Sequence, residues 1–184
     1  MRISITLLQY DHGLIRQVVD VLGVVVKNRN ADRHLEDVKE IVGFCERFMD
    51  RLHHRKEERF LFPTAVLSGT MKQEEMDALL VDHEHAHQHI MRMMTELRQG
   101  DLEAFYSTAH ELVSMMQAHI RREEDEVFPR IEEGMDPETD SMVYKRFEDM
   151  IMKEFPPDFY QTTESFANRI QDDILGPGYF EHLR

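Results

Sequence analysis

Two copies of one short pattern constrain this chain more than any other feature: His53-x-x-x-Glu57 closing on Phe62-Pro63, and His119-x-x-x-Glu123 closing on Phe128-Pro129. An Asp-His step precedes each copy, Asp11-His12 before the first and Asp82-His83 before the second. A helix turns about 100° per residue, so a His and a Glu four apart stand on one face and can touch the same ion. Apolar residues recur at helical spacing almost throughout, and no alternating strand pattern persists. The duplication therefore predicts an all-α protein: an up-down-up-down four-helix bundle whose inward faces carry ligands to one level, with a short C-terminal helical extension.

Punctuation residues set the expected boundaries. A first helix spans about residues 5 to 28, and a turn over Asn28 to Arg33 leads into a second helix with Asp32 as its N-cap. Pro63 is expected to end the second helix at about Phe62, because the residue before proline avoids the helical region. A third helix follows the Ser68-Gly69-Thr70 loop, from about 72 to 99. Gly100 closes it, Asp101 caps a fourth, and Pro129 limits that one in turn. At the standard rise, His12, His53, His83 and His119 all lie roughly 24 to 30 Å from the same end of the bundle.

The duplicated pattern stops before Gly134, so residues 1–133 read as the bundle and 134–184 as the extension, which packs on the bundle or on a protein partner. Short helices are expected there from Asp136-Pro137 to about Lys153 and from about Thr162 to Leu175, with Pro156-Pro157 between them.

Helical phase selects the inward groups. Taking His83 as the centre of its helix face, Met76, Leu79, Leu80, His87, Ile90, Met94 and Leu97 fall within about 60°, whereas His85 and His89 point away. His12 runs with Ile5, Leu8, Ile15 and Val19, and His119 and Glu123 with Leu112, Met115 and Met116. Imidazoles and carboxylates set among such side chains cost several kcal/mol each when unpartnered. Metal cations reverse that sign. The candidate ligands are His12, His53, Glu57, His83, His87, His119 and Glu123. Nitrogen and carboxylate oxygen without thiolate favour iron, manganese or zinc, and the number of ligands suggests two ions. Because Arg16 stands where the second half has His87, one half supplies two imidazoles and the other three, leaving one ion a coordination position short.

His12, His53-x-x-x-Glu57-Glu58, His83-x-x-x-His87 and His119-x-x-x-Glu123-Glu124, in that order over roughly residues 5 to 130, resemble the hemerythrin family in its bacterial HHE-domain branch. The resemblance implies a non-haem centre of two iron ions, bridged by carboxylates and an oxo or hydroxo group, that binds O₂ or a similar small diatomic ligand at the open iron. Classical carriers end the last motif with an aspartate one residue further on, where this chain has Glu123. His54, beside His53, is a second departure and a possible replacement or additional ligand.

Other readings compete. His34, His85, His89, His110 and His182 are expected at the surface, and the thirteen methionines in the core. Glu58 and Glu124 are read as solvated or as partners of the ligating imidazoles; Asp11 and Asp82 as imidazole-orienting groups or as caps and surface contacts. Glu46 and Glu126 fall in phase with the ligand stripe and are read as surface or cavity mouth. His83-Glu84-His85-Ala86-His87 satisfies the zinc-protease signature H-E-x-x-H, but that reading leaves the repeats unexplained. Ferritin-like sites need paired Glu-x-x-His motifs, and only Glu84-x-x-His87 qualifies.

With a net charge of −14, the surface repels phosphate backbones and anionic lipid, so neither nucleic acid nor membrane is an expected partner. One cysteine, Cys45, excludes a disulfide framework, and no leader or membrane span is read, so the expected location is cytoplasmic. No nucleophile or substrate-shaped motif appears beyond the metal ligands. Ligand binding or sensing is thus favoured over turnover. The alternatives are a di-iron enzyme acting on nitric oxide or peroxide or in iron–sulfur repair, and an interaction module with a structural metal.

Overall fold

A computed structural model describes residues 2–177 and forms six helices, with no strand among the described residues. They are α1 (Ile3–Asn28), α2 (35–67), α3 (Gln73–Gln99), α4 (102–134), α5 (Pro137–Glu154) and α6 (Phe159–Leu175). Arg29 and Gly100, both at positive φ, terminate α1 and α3. Asp101 caps α4 by accepting from the Ala104 amide, and Asp136 caps α5 through the amides of Glu138 and Thr139. Asp32 does not cap α2: residues 31–34 form a turn, and the N-cap position falls on His34.

The two prolines expected to end helices do not. α2 runs through Pro63 to Leu67, and α4 through Pro129 to Gly134. An interior proline loses one helical hydrogen bond and pushes its ring against the carbonyl four residues back. Here the turn just before each proline is π-helical, over Glu57–Leu61 and Glu123–Val127. The Phe62 amide reaches back to the Glu57 carbonyl, and the Phe128 amide to that of Glu123. The widened turn absorbs the ring, and the helix continues.

Two apolar clusters share these helices. Along α1 the order is Ile5 and Leu8 in one cluster, then the ligand level, then Leu14 to Val25 in the other. α2 reverses it, with Val38 to Leu52 before the level and Leu61 to Ala65 after. α3 follows the order of α1, and α4 that of α2. A polar layer is thereby enclosed between two dry cores. α5 joins one core through Val143 and Phe147, and α6 joins the other through Ala167 and Ile170. The α1 terminus is further tied to α5, since Asp140 accepts from the amides of Ile3 and Ser4 and from the Ser4 hydroxyl. Among the described residues, no helix is long and apolar enough to cross a membrane.

Candidate metal centre

The polar layer holds His12, His53, His54, Glu57, His83, His119 and Glu123, each at most 3% exposed. Two four-residue sets each bring one ligand atom per residue within 4.8 Å of the others: His12, His53, Glu57 and Glu123, and Glu57, His83, His119 and Glu123. Glu57 and Glu123 belong to both. His54, His83 and His119 form a third such set. These are six of the seven residues the sequence proposed, together with His54.

Each of four imidazoles aims Nε2 inwards because a carboxylate holds its Nδ1. Asp11 of α1 holds His53 of α2 at 3.3 Å, and Glu58 of α2 holds His83 of α3 at 2.9 Å. Asp82 of α3 holds His119 of α4 at 3.4 Å, and Glu124 of α4 holds His12 of α1 at 3.0 Å. The buttresses pass once around the four helices. They give Asp11 and Asp82 the orienting role rather than capping, and they make Glu58 and Glu124 partners of imidazoles rather than solvated groups. The Phe-Pro steps contribute as well, since Phe128 stacks on His12 with centroids 5.4 Å apart and Phe62 lies over His83 at 6.0 Å.

Most of the inward-facing atoms are left without hydrogen bonds. His12 Nε2, His53 Nε2, both oxygens of Glu57, both of Glu123 and both ring nitrogens of His54 are buried and unpartnered. His12 Nε2 stands 3.2 Å from Glu123 Oε2, His119 Nε2 3.3 Å from Glu123 Oε1, and His53 and His83 Nε2 each 3.5 Å from Glu57 Oε2, close in distance but out of alignment for a hydrogen bond. His83 and His119 point Nε2 at one another across 3.2 Å. So many converging lone pairs in a dry layer cost several kcal/mol each unless a cation lies among them. The donor set, five imidazoles and two carboxylates with no thiolate, fits a pair of first-row metal ions.

Without a cation the layer strains its own titration. Burial and the charge of Glu123 push the Glu57 carboxyl well above its ordinary range. Burial works the same way on Glu123, yet His119 and His12 together hold it well below. His119 is raised to about 9 because Glu123 and Asp82 outweigh its burial, whereas burial drives His53 down to about 3. Two metal ions would replace this mixed pattern with neutral imidazoles and ionised carboxylates throughout.

His87 is not brought into the layer. Its side chain is 47% exposed and bonds Asp50 Oδ2 through Nδ1 at 3.1 Å. The buried stripe of α3 is Leu79, His83, Ala86, Ile90, Met93 and Leu97, stepping by four and three in turn. That is a 3.5-residue seam, in which Ala86 and Met93 face inwards and His87 and Met94 flank it. His54 supplies the fifth imidazole instead. It lies in a π-helical stretch, Cys45–His54, where successive residues are separated by less than in an α-helix, so His53 and His54 both face the layer. Two adjacent histidines were the visible signal. Their common inward aim needed the backbone.

Of the expected surface histidines, His85 and His110 are exposed and His34 and His89 half-buried; His182 lies outside the described residues. Glu46 pairs with Arg51 and Glu126 is exposed, so neither lines the layer.

A family model, the hemerythrin HHE cation-binding domain, matches residues 4–144. The chain belongs to this family. Every residue of the hemerythrin-like layer, from His12 to Glu123, falls within the match, which ends inside α5. Membership implies metal binding, and the His and Glu clusters supply the means. No curated protein and no solved structure matches the chain.

Proposed function

We propose that this chain is a di-iron protein that binds or senses O₂ or a similar small diatomic ligand. The observation that carries the reading is the sharing of Glu57 and Glu123 between two ligand sets, with all four of their carboxylate oxygens and the Nε2 atoms of His12 and His53 buried and without a hydrogen bond. His12 and His53 would hold one ion, His83, His119 and His54 the other, and the two glutamates both. Bound iron supplies the redox chemistry and the open coordination position that a neutral diatomic needs. The residues themselves fix the imidazoles through Nδ1 and exclude water with the rings of Phe62 and Phe128. The unequal count of imidazoles, two against three, favours one ion having the open position. A four-helix bundle in up-down-up-down order is supported by the alternating sequence of the two cores along α1 to α4.

We read residues 134–184 as a C-terminal extension, within which α6 closes one flank of the layer by sending Tyr160 onto Asp11 at 3.0 Å. A reducing cytoplasm suits the one cysteine, Cys45, which is buried and whose thiol burial pushes up to about 12. Anaerobic purification with metal analysis, followed by optical spectra before and after air, tests the function. Two irons per chain and a reversible spectral change are expected. Two irons with spectra indifferent to air, nitric oxide and azide would leave a structural site and refute ligand binding.

A further inference from the structure

We infer that the cleft between α2 and α3 is the uptake port through which a hydrated divalent cation reaches the layer, with His87 and Glu84 as its outer groups. The cleft encloses about 400 Å³ and is lined by Asp50, Arg55, Glu58, Leu80, His83, Glu84 and His87. His83 thus belongs both to the cleft and to the buried ligand set.

The four buttressing carboxylates distinguish this flank from the others. Asp11 is paired with Lys56, Glu124 with Arg16, and Asp82 with Arg122 at 3.7 Å. On each of those flanks the carboxylate is neutralised by a cation, wholly buried for Lys56 and partly exposed for Arg16 and Arg122, and the first flank is also covered by Tyr160, whose hydroxyl lies 3.1 Å from Lys56 Nζ. Glu58 pairs with no Lys or Arg among the described residues; its one partner is His83. Arg55 lines the same cleft but is engaged by Glu154 at 3.5 Å. An approaching dication meets neutralised carboxylates on three sides and, on the fourth, an opening lined by Asp50, Glu58 and Glu84, and such focusing raises association rates by about 10- to 1,000-fold.

A second observation points inwards from the cleft. His54 is 1% exposed with both ring nitrogens unpartnered, its Nδ1 stands 4.0 Å from Asp50 Oδ1, and its ring stacks on His83 at 3.9 Å. Asp50 also holds His87 at the mouth. His87, Asp50, His54 and His83 thereby form a graded path from exposed to buried donors, along which a cation can exchange water for protein ligands. The outer groups do not converge into a tight chelate, as suits a transit position.

This inference rests on the metal-binding reading above, and the wild-type chain separates the two: if it takes up no iron, that reading fails before the port is tested. The experiment adds ferrous ion anaerobically to the metal-free full chain and follows uptake by stopped-flow absorbance, with final metal content measured separately. His87→Ala and Glu84→Lys should slow uptake at least about tenfold and leave final stoichiometry and spectrum unchanged. Asp149→Lys, the same charge change on the exposed face of α5, should leave the rate alone. Unchanged uptake in both cleft variants, equal slowing by Asp149→Lys, or reduced final iron with an altered spectrum in His87→Ala would each overturn the port.

Discussion

Lys56→Met should destabilise the metal-free protein far more than Arg122→Met, although the two residues occupy equivalent places in the repeat. Each follows its histidine by three positions and pairs with the aspartate of an Asp-His step, Lys56 with Asp11 and Arg122 with Asp82. In the first pair both side chains are 0% exposed, and Tyr160 completes the enclosure by donating to Asp11 Oδ1. In the second, the exposures are 37% and 33% and the separation is 3.7 Å. Removing one partner of a buried pair strands an uncompensated charge and costs about 3–5 kcal/mol, whereas a solvated pair is worth about 0–1 kcal/mol. For a chain of this size, about 1 kcal/mol shifts Tm by roughly 2–4 °C. Lys56→Met should therefore lower Tm by about 6 °C or more and Arg122→Met by less than about 4 °C. Thermal unfolding followed by circular dichroism, with chelator present throughout, measures both. Adding Asp11→Asn to Lys56→Met should recover part of the loss, because the stranded carboxylate is then gone. Equal effects of the two single variants would refute the idea that α6 makes the two halves of the repeat electrostatically unequal.

His54→Ala should weaken binding of one of two irons by at least about tenfold while leaving the fold intact, read by metal analysis after dialysis against graded chelator; full retention of both would remove His54 from the ligand set. Metal uptake at neutral pH should release protons, since His119, raised to about 9, is charged in the metal-free protein and must become neutral; calorimetry in buffers of different ionisation enthalpy counts them, and zero release contradicts the assignment. The metal-free chain should also lose stability as pH falls from about 6.5 towards 3, because His53 is buried neutral with its pKa lowered to about 3 and the unfolded chain takes up the proton first; a flat stability profile over that window would count against it. Phe128→Ala should cost about 3–5 kcal/mol in urea unfolding, as the ring is fully buried against His12, and a loss below about 1 kcal/mol would mean that the stack is not formed.

The helical class, the ligand level and six of seven clustered residues were legible because they depend on spacing alone: His and Glu four apart must share a face. What escaped depends on departures from the regular 3.6-residue helix. Pro63 and Pro129 read as stops, yet a π turn upstream of each lets the helix pass. His87 read as inward on a 100° wheel, but the seam of α3 follows a 3.5-residue step through Ala86, and a π stretch in α2 turns His54 inwards in its place. The layer gathers five imidazoles, as many as the spacing proposed, with His54 in the place of His87. Tyr160 carried no sequence signal, since its partner Asp11 lies 149 residues away.

The circular order of the buttresses makes neither half of the chain self-sufficient. Within each hairpin one aspartate aims one imidazole, but Glu58 crosses to aim His83 and Glu124 crosses back to aim His12. Were the duplicated halves separated, each fragment would keep a histidine whose tautomer and direction nothing sets, and each cradle would lose one of its two shared glutamates. The repeated unit is therefore half of a clasp, and only the closed loop of four helices can grip.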